Sequence, residues 1–175
     1  MTHQLIGSLL LVLVLGATTR AGDDPWKPFR YLEGEWVGEG GGQPGPGTGT
    51  FRFAWDLQGH VLVRKGHAEF PAVAGKAAST HDDMMIIHKG GGDSPDRADY
   101  FDDKGHVIRY QASISSDGRV VTFLSDPVPN SPRFRLSYTH ETESTARIRF
   151  EIEPPGGSGF QIYLDGRARR VTPAK

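Results

Sequence analysis

The chain has 175 residues, no cysteine, 23 glycines and 12 prolines, with 20 basic against 21 acidic side chains and a formal net charge of -1. That length suits one domain with its own core, and 37% hydrophobic residues exclude a disordered chain. Without cysteine there are no disulfides, thiol nucleophiles, iron–sulfur clusters or cysteine-bound zinc. The balanced charge gives no basis for binding nucleic acid, which requires a clustered positive field.

In chain order, Leu5 to Ala17 is an apolar run of about thirteen residues, the span of a signal-peptide core and too short for a membrane-spanning helix. Thr19-Arg20-Ala21 supplies small residues where a signal peptidase cuts, so residues 1–21 read as a signal peptide cleaved before Gly22. Met1-Thr2-His3-Gln4 lacks the usual Lys or Arg, and an uncleaved anchor is the alternative. No cysteine follows the run, which argues against a lipoprotein. The expectation is a protein exported to the periplasm or beyond the cell, with no stable membrane span after cleavage. Residues 22–34 form a lead-in, in which Pro25 to Glu33 has room for a short helical turn.

From there to residue 171, period-two alternation replaces any helical period, broken by Gly, Asp, Asn and Pro at short intervals. Runs fall near 35–42, 51–56, 59–70, 80–89, 97–102, 105–115, 119–125, 133–138, 146–153 and 160–165. The segment Ala146-Arg147-Ile148-Arg149-Phe150-Glu151-Ile152-Glu153 shows the pattern best, with apolar residues on one face and charges on the other. Asp117-Gly118 suits a two-residue hairpin turn. About ten strands leave too much sheet to stay open, so the prediction is all-β: a closed antiparallel up-and-down barrel behind a short helical turn. Alternate connections in such a barrel share an end. The Pro- and Gly-rich stretches at 43–47, 71–79, 126–132 and 154–159 then gather at one end, the mouth of any cavity, while tight turns and the lead-in close the other.

Gly34-Glu35-Trp36-Val37-Gly38-Glu39-Gly40 places Gly-x-Trp at the start of the first strand, just after the helical turn. This resembles the signature of the calycin barrels, the lipocalins, fatty-acid-binding proteins and their relatives. In its extended form it is similar to nitrobindin-type barrels and to exported bacterial lipocalin-like proteins of unestablished function. The resemblance implies that Trp36 sits at the closed end under an arginine from the last strand. Gly166-Arg167-Ala168-Arg169-Arg170 supplies candidates, and Gly34, Trp36, Arg167 and Arg169 are taken as the structural signature. Haem-binding relatives ligate iron through a histidine near the C-terminal end. Here the last histidine is His140, so no cofactor is carried over and haem remains the disfavoured alternative.

With apolar faces turned inward, the lumen receives Trp36, Phe53, Trp55, Ile108, Tyr110, Phe134, Leu136, Tyr138, Ile148, Phe150 and Ile162. If Val63, Lys65 and His67, and likewise Met84, Ile86 and His88, also face inward, His67 and His88 bring polar groups among them. The predicted ligand-binding set is Trp36, Phe53, Trp55, His67, His88, Tyr110, Tyr138 and Phe150. Six histidines follow residue 21, but no zinc-type spacing links them. Asp82-Asp83 and Asp102-Asp103 read as structural acids, since neighbours in a strand diverge. No nucleophile elbow or phosphate loop is present. The reading is a non-enzymatic carrier or sensor for a small apolar or amphipathic molecule, its oligomeric state open. The alternatives are a filled structural or protein-binding module, and an enzyme using His67 or His88 with a carboxylate as general base.

Overall fold

The structure is a computed structural model, and it describes residues 24–39, 47–92, 94–157 and 159–172. The expected signal peptide over residues 1–21 lies outside the described residues. Among the described residues no helix is long and apolar enough to cross a membrane.

A 3-10 turn, Lys27–Leu32, leads into ten strands: β1 Gly34–Glu39, β2 Thr48–Asp56, β3 Val61–Phe70, β4 Ser79–His88, β5 Arg97–Asp102, β6 Val107–Ile114, β7 Val120–Ser125, β8 Arg133–Thr142, β9 Thr145–Glu153 and β10 Gln161–Arg170. Each pairs antiparallel with the next, and β1 pairs with β10 to close the barrel. Closure removes every sheet edge, the reason a chain of alternating strands settles here instead of in an open sheet. A closed antiparallel barrel of ten strands with a short helical lead-in is consistent with the calycin barrels in general.

The inner face is set by the residues that lose all contact with water. Phe53, Leu62, Met85, Ile87, Tyr110, Val121, Phe123, Tyr138 and Ala168 are each 2% exposed or less. The lead-in turn plugs one end. Pro28 in its first turn fixes φ for helical geometry, and Phe29 and Leu32 are buried beneath it. Trp26 packs edge-on against Phe29 and Trp55, with centroids 5.5 and 5.0 Å apart. Lys89 Nζ caps this cluster 4.5 Å above the Trp26 ring. The connections 57–60, 115–119 and 143–144 lie at this closed end, and the Pro- and Gly-rich stretches 71–78 and 126–132 lie at the other, while residues 43–46, 93 and 158 of the remaining connections lie outside the described residues.

Arg170 fastens the plug to the seam. Its guanidinium stacks 4.3 Å from the Trp36 ring, while Trp36 Nε1 donates to the Leu32 carbonyl at 2.9 Å. The same guanidinium donates to the carbonyls of Tyr31 and Glu33 in the lead-in and of Glu143 in the β8–β9 turn. Gly34 is needed beneath it: φ is +119°, and a Cβ there would sit 2.6 Å from Arg170 Nη1.

Two expectations need correction. The arginine over Trp36 is Arg170, not Arg167 or Arg169. Ala168 is fully buried, so Arg170, two residues on, also faces inward, whereas Arg167 and Arg169 point out and pair with Glu141 and Glu39 at 2.7 and 2.8 Å. Ile162, expected inside, is 58% exposed. A β-bulge between Ile162 and Leu164 inserts Tyr163 and reverses the parity of what precedes it.

Arg170→Ala should destabilise the barrel by about 1–3 kcal/mol, because it removes a cation–π contact and leaves three carbonyls without their charged donor. Arg167→Ala and Arg169→Ala break only exposed ion pairs and should stay within about 0.5 kcal/mol of wild type. Urea unfolding of the three variants checks the contrast. Equal losses would show that Arg170 has no special role at the seam.

Candidate functional site

The lumen is closed and apolar at the plugged end and becomes amphipathic towards the open end. β3, β4 and β5 build the polar wall. Leu62 on β3 and Met85 and Ile87 on β4 are fully buried, so Arg64 and Gly66, and with them His81 and Asp83, share the inward face. Tyr100 and Asp102 follow fully buried Ala98 on β5 at the same parity.

Arg64 is ion-paired with Asp83, their side chains 16% and 10% exposed. The guanidinium lies 5.0 Å over the Phe51 ring, and its Nε is buried without a partner among the described residues. Gly66 makes room for the pair: a Cβ there would stand 2.6 Å from Asp83 Oδ2 and 2.8 Å from Arg64 Nη1. His81 Nε2 lies 3.0 Å from Tyr100 Oη, and His81 Nδ1 lies 3.5 Å from Asp103 Oδ1. An imidazole between a carboxylate and a phenol can both bind a polar group and pass a proton.

Further acids and cations line the rim. Burial opposes the charge on Asp102, yet hydrogen bonds from His106 and Lys104 hold its carboxyl below the usual range. Lys104, 2.7 Å from Asp103, holds that carboxyl down as well. Three phenols complete the wall. Burial pushes Tyr100 up to about 12, with the nearby Asp102 charge adding to it. Burial likewise raises Tyr110 and Tyr138, whose environments include Arg64.

β8 and β9 lie across the lumen in the barrel order and carry an apolar wall. Phe134 and Phe150 stack in parallel, centroids 5.9 Å apart, and Phe150 meets Tyr163 edge-on at 6.0 Å. Phe134, Leu136 and Ile148 face the core yet keep partial exposure, as does Ile108 on β6. These inward-facing residues keep contact with water towards the loop-rich end.

The predicted residues distribute unevenly over this space. Trp36, Phe53, Tyr110 and Tyr138 are buried in the packed core. Trp55 belongs to the plug: its Nε1 donates to Glu33 at 3.0 Å, and Arg30 lies 4.6 Å over its ring. Phe150 faces the open half.

His67 and His88 lie on the outer face, contrary to expectation, because β3 and β4 have the opposite parity. His67 sits 2.6 Å from Asp82 and 3.3 Å from Glu69, which raise its pKa, the Asp82 hydrogen bond most. His88 Nε2 lies 3.7 Å from Asp99. Both histidines therefore meet carboxylates, but outside the barrel, with side chains 45% and 38% exposed. His67 lines a solvent-open groove of about 760 Å³ across β1–β5, whose lining joins outward-facing Arg52, Lys65 and Asp82 to inward-facing Gly66, Asp83 and Asp102.

Arg64, His81 and Tyr100 were not taken as site residues from sequence, and Asp83 was read as a structural acid. Their signal was the pair of acidic dipeptides. Neighbours do diverge, as the strand geometry requires, and the divergence turns Asp83 and Asp102 inward.

The sequence matches no family model and no curated protein.

The lumen phenols carry a pH signature. Their folded pKa values are raised, so they contribute stability that is complete below the ordinary phenol value, near 10, and is lost as pH climbs through the folded values. Stability should fall between pH about 10 and about 12 as phenolate absorbance rises, and Tyr100→Phe should remove part of both changes. Phenols that all titrate near 10 would contradict their burial.

Proposed function

We propose that the protein is an exported carrier or sensor that holds a small amphipathic molecule in the open half of its barrel and performs no chemical step on it. One observation supports this above the rest: inward-facing Arg64, Asp83, His81 and Tyr100 on one side of the barrel stand opposite Phe134, Leu136, Ile148 and Phe150, which keep partial exposure. Such a space offers an apolar body contact area and gives its polar end a few fixed partners, the usual division of labour in a small-molecule site. The buried Arg64–Asp83 pair points the same way. Desolvating an ion pair stabilises a fold little compared with apolar packing, so its place in the lumen calls for a reason other than stability.

Among calycin-like barrels, the strand count and the extended Gly-x-Trp segment liken the chain to the nitrobindin-like and exported bacterial members. Haem is not part of the proposal. No histidine lies on β10, and His140 stacks on Tyr31 at the closed end, centroids 4.7 Å apart. Export rests on the apolar run at residues 5–17.

Protein purified from an exporting host should start at Gly22 and, by native mass spectrometry, carry excess mass that is lost on denaturation. It should also bind the neutral dye Nile red. Phe150→Ala and Leu136→Ala should each weaken dye binding about tenfold, the effect of roughly 1.4 kcal/mol of lost apolar contact. His67→Ala and His88→Ala should leave it within about twofold, since an outer-face side chain makes no lumen contact. A bare mass together with no dye binding would overturn the carrier reading in favour of a filled structural barrel.

A further inference from the structure

The charges and hydrogen-bond donors of the polar wall define the chemical class of the ligand, an inference that rests on the carrier reading. We infer that the lumen selects an uncharged amphiphile whose polar end carries hydrogen-bond acceptors, such as a ketone or ester, and discriminates against carboxylates.

Arg64 is the one arginine of the inner polar wall, and its charge is compensated by Asp83 at direct contact. Asp102 and Asp103 add two more carboxylates at the rim. The nearest cation there, Lys104, is already engaged with Asp103 at 2.7 Å, while His106 lies 2.8 Å from Asp102 and His81 meets Asp103 and Tyr100. A carboxylate entering this wall finds no unpaired positive charge, since the two cations Arg64 and Lys104 already face three carboxylates. It also gives up its own hydration in a half-buried site, which is unfavourable without a paired cation.

Guanidinium nitrogens have only donors to offer, and a neutral phenol brings an O–H. Arg64 Nε is buried and unpartnered, and Tyr100, inward-facing on β5, places its Oη 3.0 Å from His81 Nε2. A donor-rich wall without net positive charge is complementary to neutral acceptor oxygens. The apolar wall of Phe134, Leu136 and Phe150 takes the body of the molecule.

Asp83 is therefore the selectivity residue. Were its charge removed, the Arg64 cation would be left to pair with an anionic ligand. Asp83→Asn keeps the shape and removes the charge, so it should erase the preference. Gly66→Ala pushes a methyl into the pair from the neighbouring strand and should weaken recognition of the polar end without touching the apolar wall.

The test uses the whole protein and three probes: Nile red, dodecan-2-one and dodecanoate at neutral pH, the last two by displacement of the dye. Wild type should bind dodecan-2-one about tenfold or more tightly than dodecanoate. Asp83→Asn should bind dodecanoate about tenfold more tightly than wild type does, with Nile red binding unchanged as the check that the barrel is intact. If wild type binds Nile red but prefers dodecanoate, or binds the two equally, the inference fails and the carrier reading stands. If wild type prefers the ketone but folded Asp83→Asn gains nothing for dodecanoate, charge compensation is overturned as the cause. If none of the three probes binds wild type, the carrier reading fails first, and this inference with it.

Discussion

A barrel has to close somewhere, and here closure depends on a guanidinium laid over an indole. Among the described residues β1 and β10 share four register positions, from Trp36↔Arg170 to Glu39↔Arg167. So short a ladder is a weak seam on backbone hydrogen bonds alone. Arg170 strengthens it by touching three separate parts of the chain: the Trp36 ring on β1, the Tyr31 and Glu33 carbonyls of the lead-in, and the Glu143 carbonyl between β8 and β9. Because those carbonyls belong to the plug and to a neighbouring turn, one side chain joins the seam to the lid of the closed end. Gly34 is the backbone concession that permits it, since its positive φ and missing Cβ leave the guanidinium its place.

Sealing one end polarises the rest of the barrel. Below the level of Arg64 the lumen is filled by Phe53, Leu62, Met85, Ile87, Val121 and Phe123, all at most 1% exposed. Interior packing of this density leaves no room for a guest. Above that level the side chains on β3 to β5 turn polar, and the apolar ones on β8 and β9 keep contact with water. Stability and recognition are thus divided along the barrel axis: packing and the plug hold the fold, while the outer half is free to carry groups that add little to it. The Arg64–Asp83 pair is the clearest instance, because Gly66 leaves it a space that a larger residue would fill.

Period-two alternation carries the strand count, the turn positions and the sorting of connections between two ends, because each is a local consequence of pleat and loop chemistry. Gly34 and Trp36 were legible for the same reason, lying side by side in one short motif. Facing direction in β3 and β4 was not. Val63 and Ile86 look as apolar as Leu62 and Ile87, so alternation cannot say which set is inside, and His67 and His88 were assigned to the wrong surface. A one-residue slip exchanges both faces of a strand at once, which is why Arg64 and His81 were missed and Asp83 was read as a structural acid. The bulge at Tyr163 moved Ile162 outward by the same arithmetic.

What the amino-acid sequence determined by itself was an all-β chain, of barrel-forming length, with a plugged end and a loop-rich end. Those properties follow from periodicity, glycine and proline, and they need no knowledge of which strand lies beside which. The tertiary structure alone decided the identity of the arginine over Trp36 and the composition of the lumen's polar wall. Arg170 is chosen over Arg167 and Arg169 by the register of two strands more than a hundred residues apart. Arg64, Asp83 and Tyr100 meet only because neighbouring strands bring their inward faces into line. Register is a property of pairs of strands, and no single segment contains it.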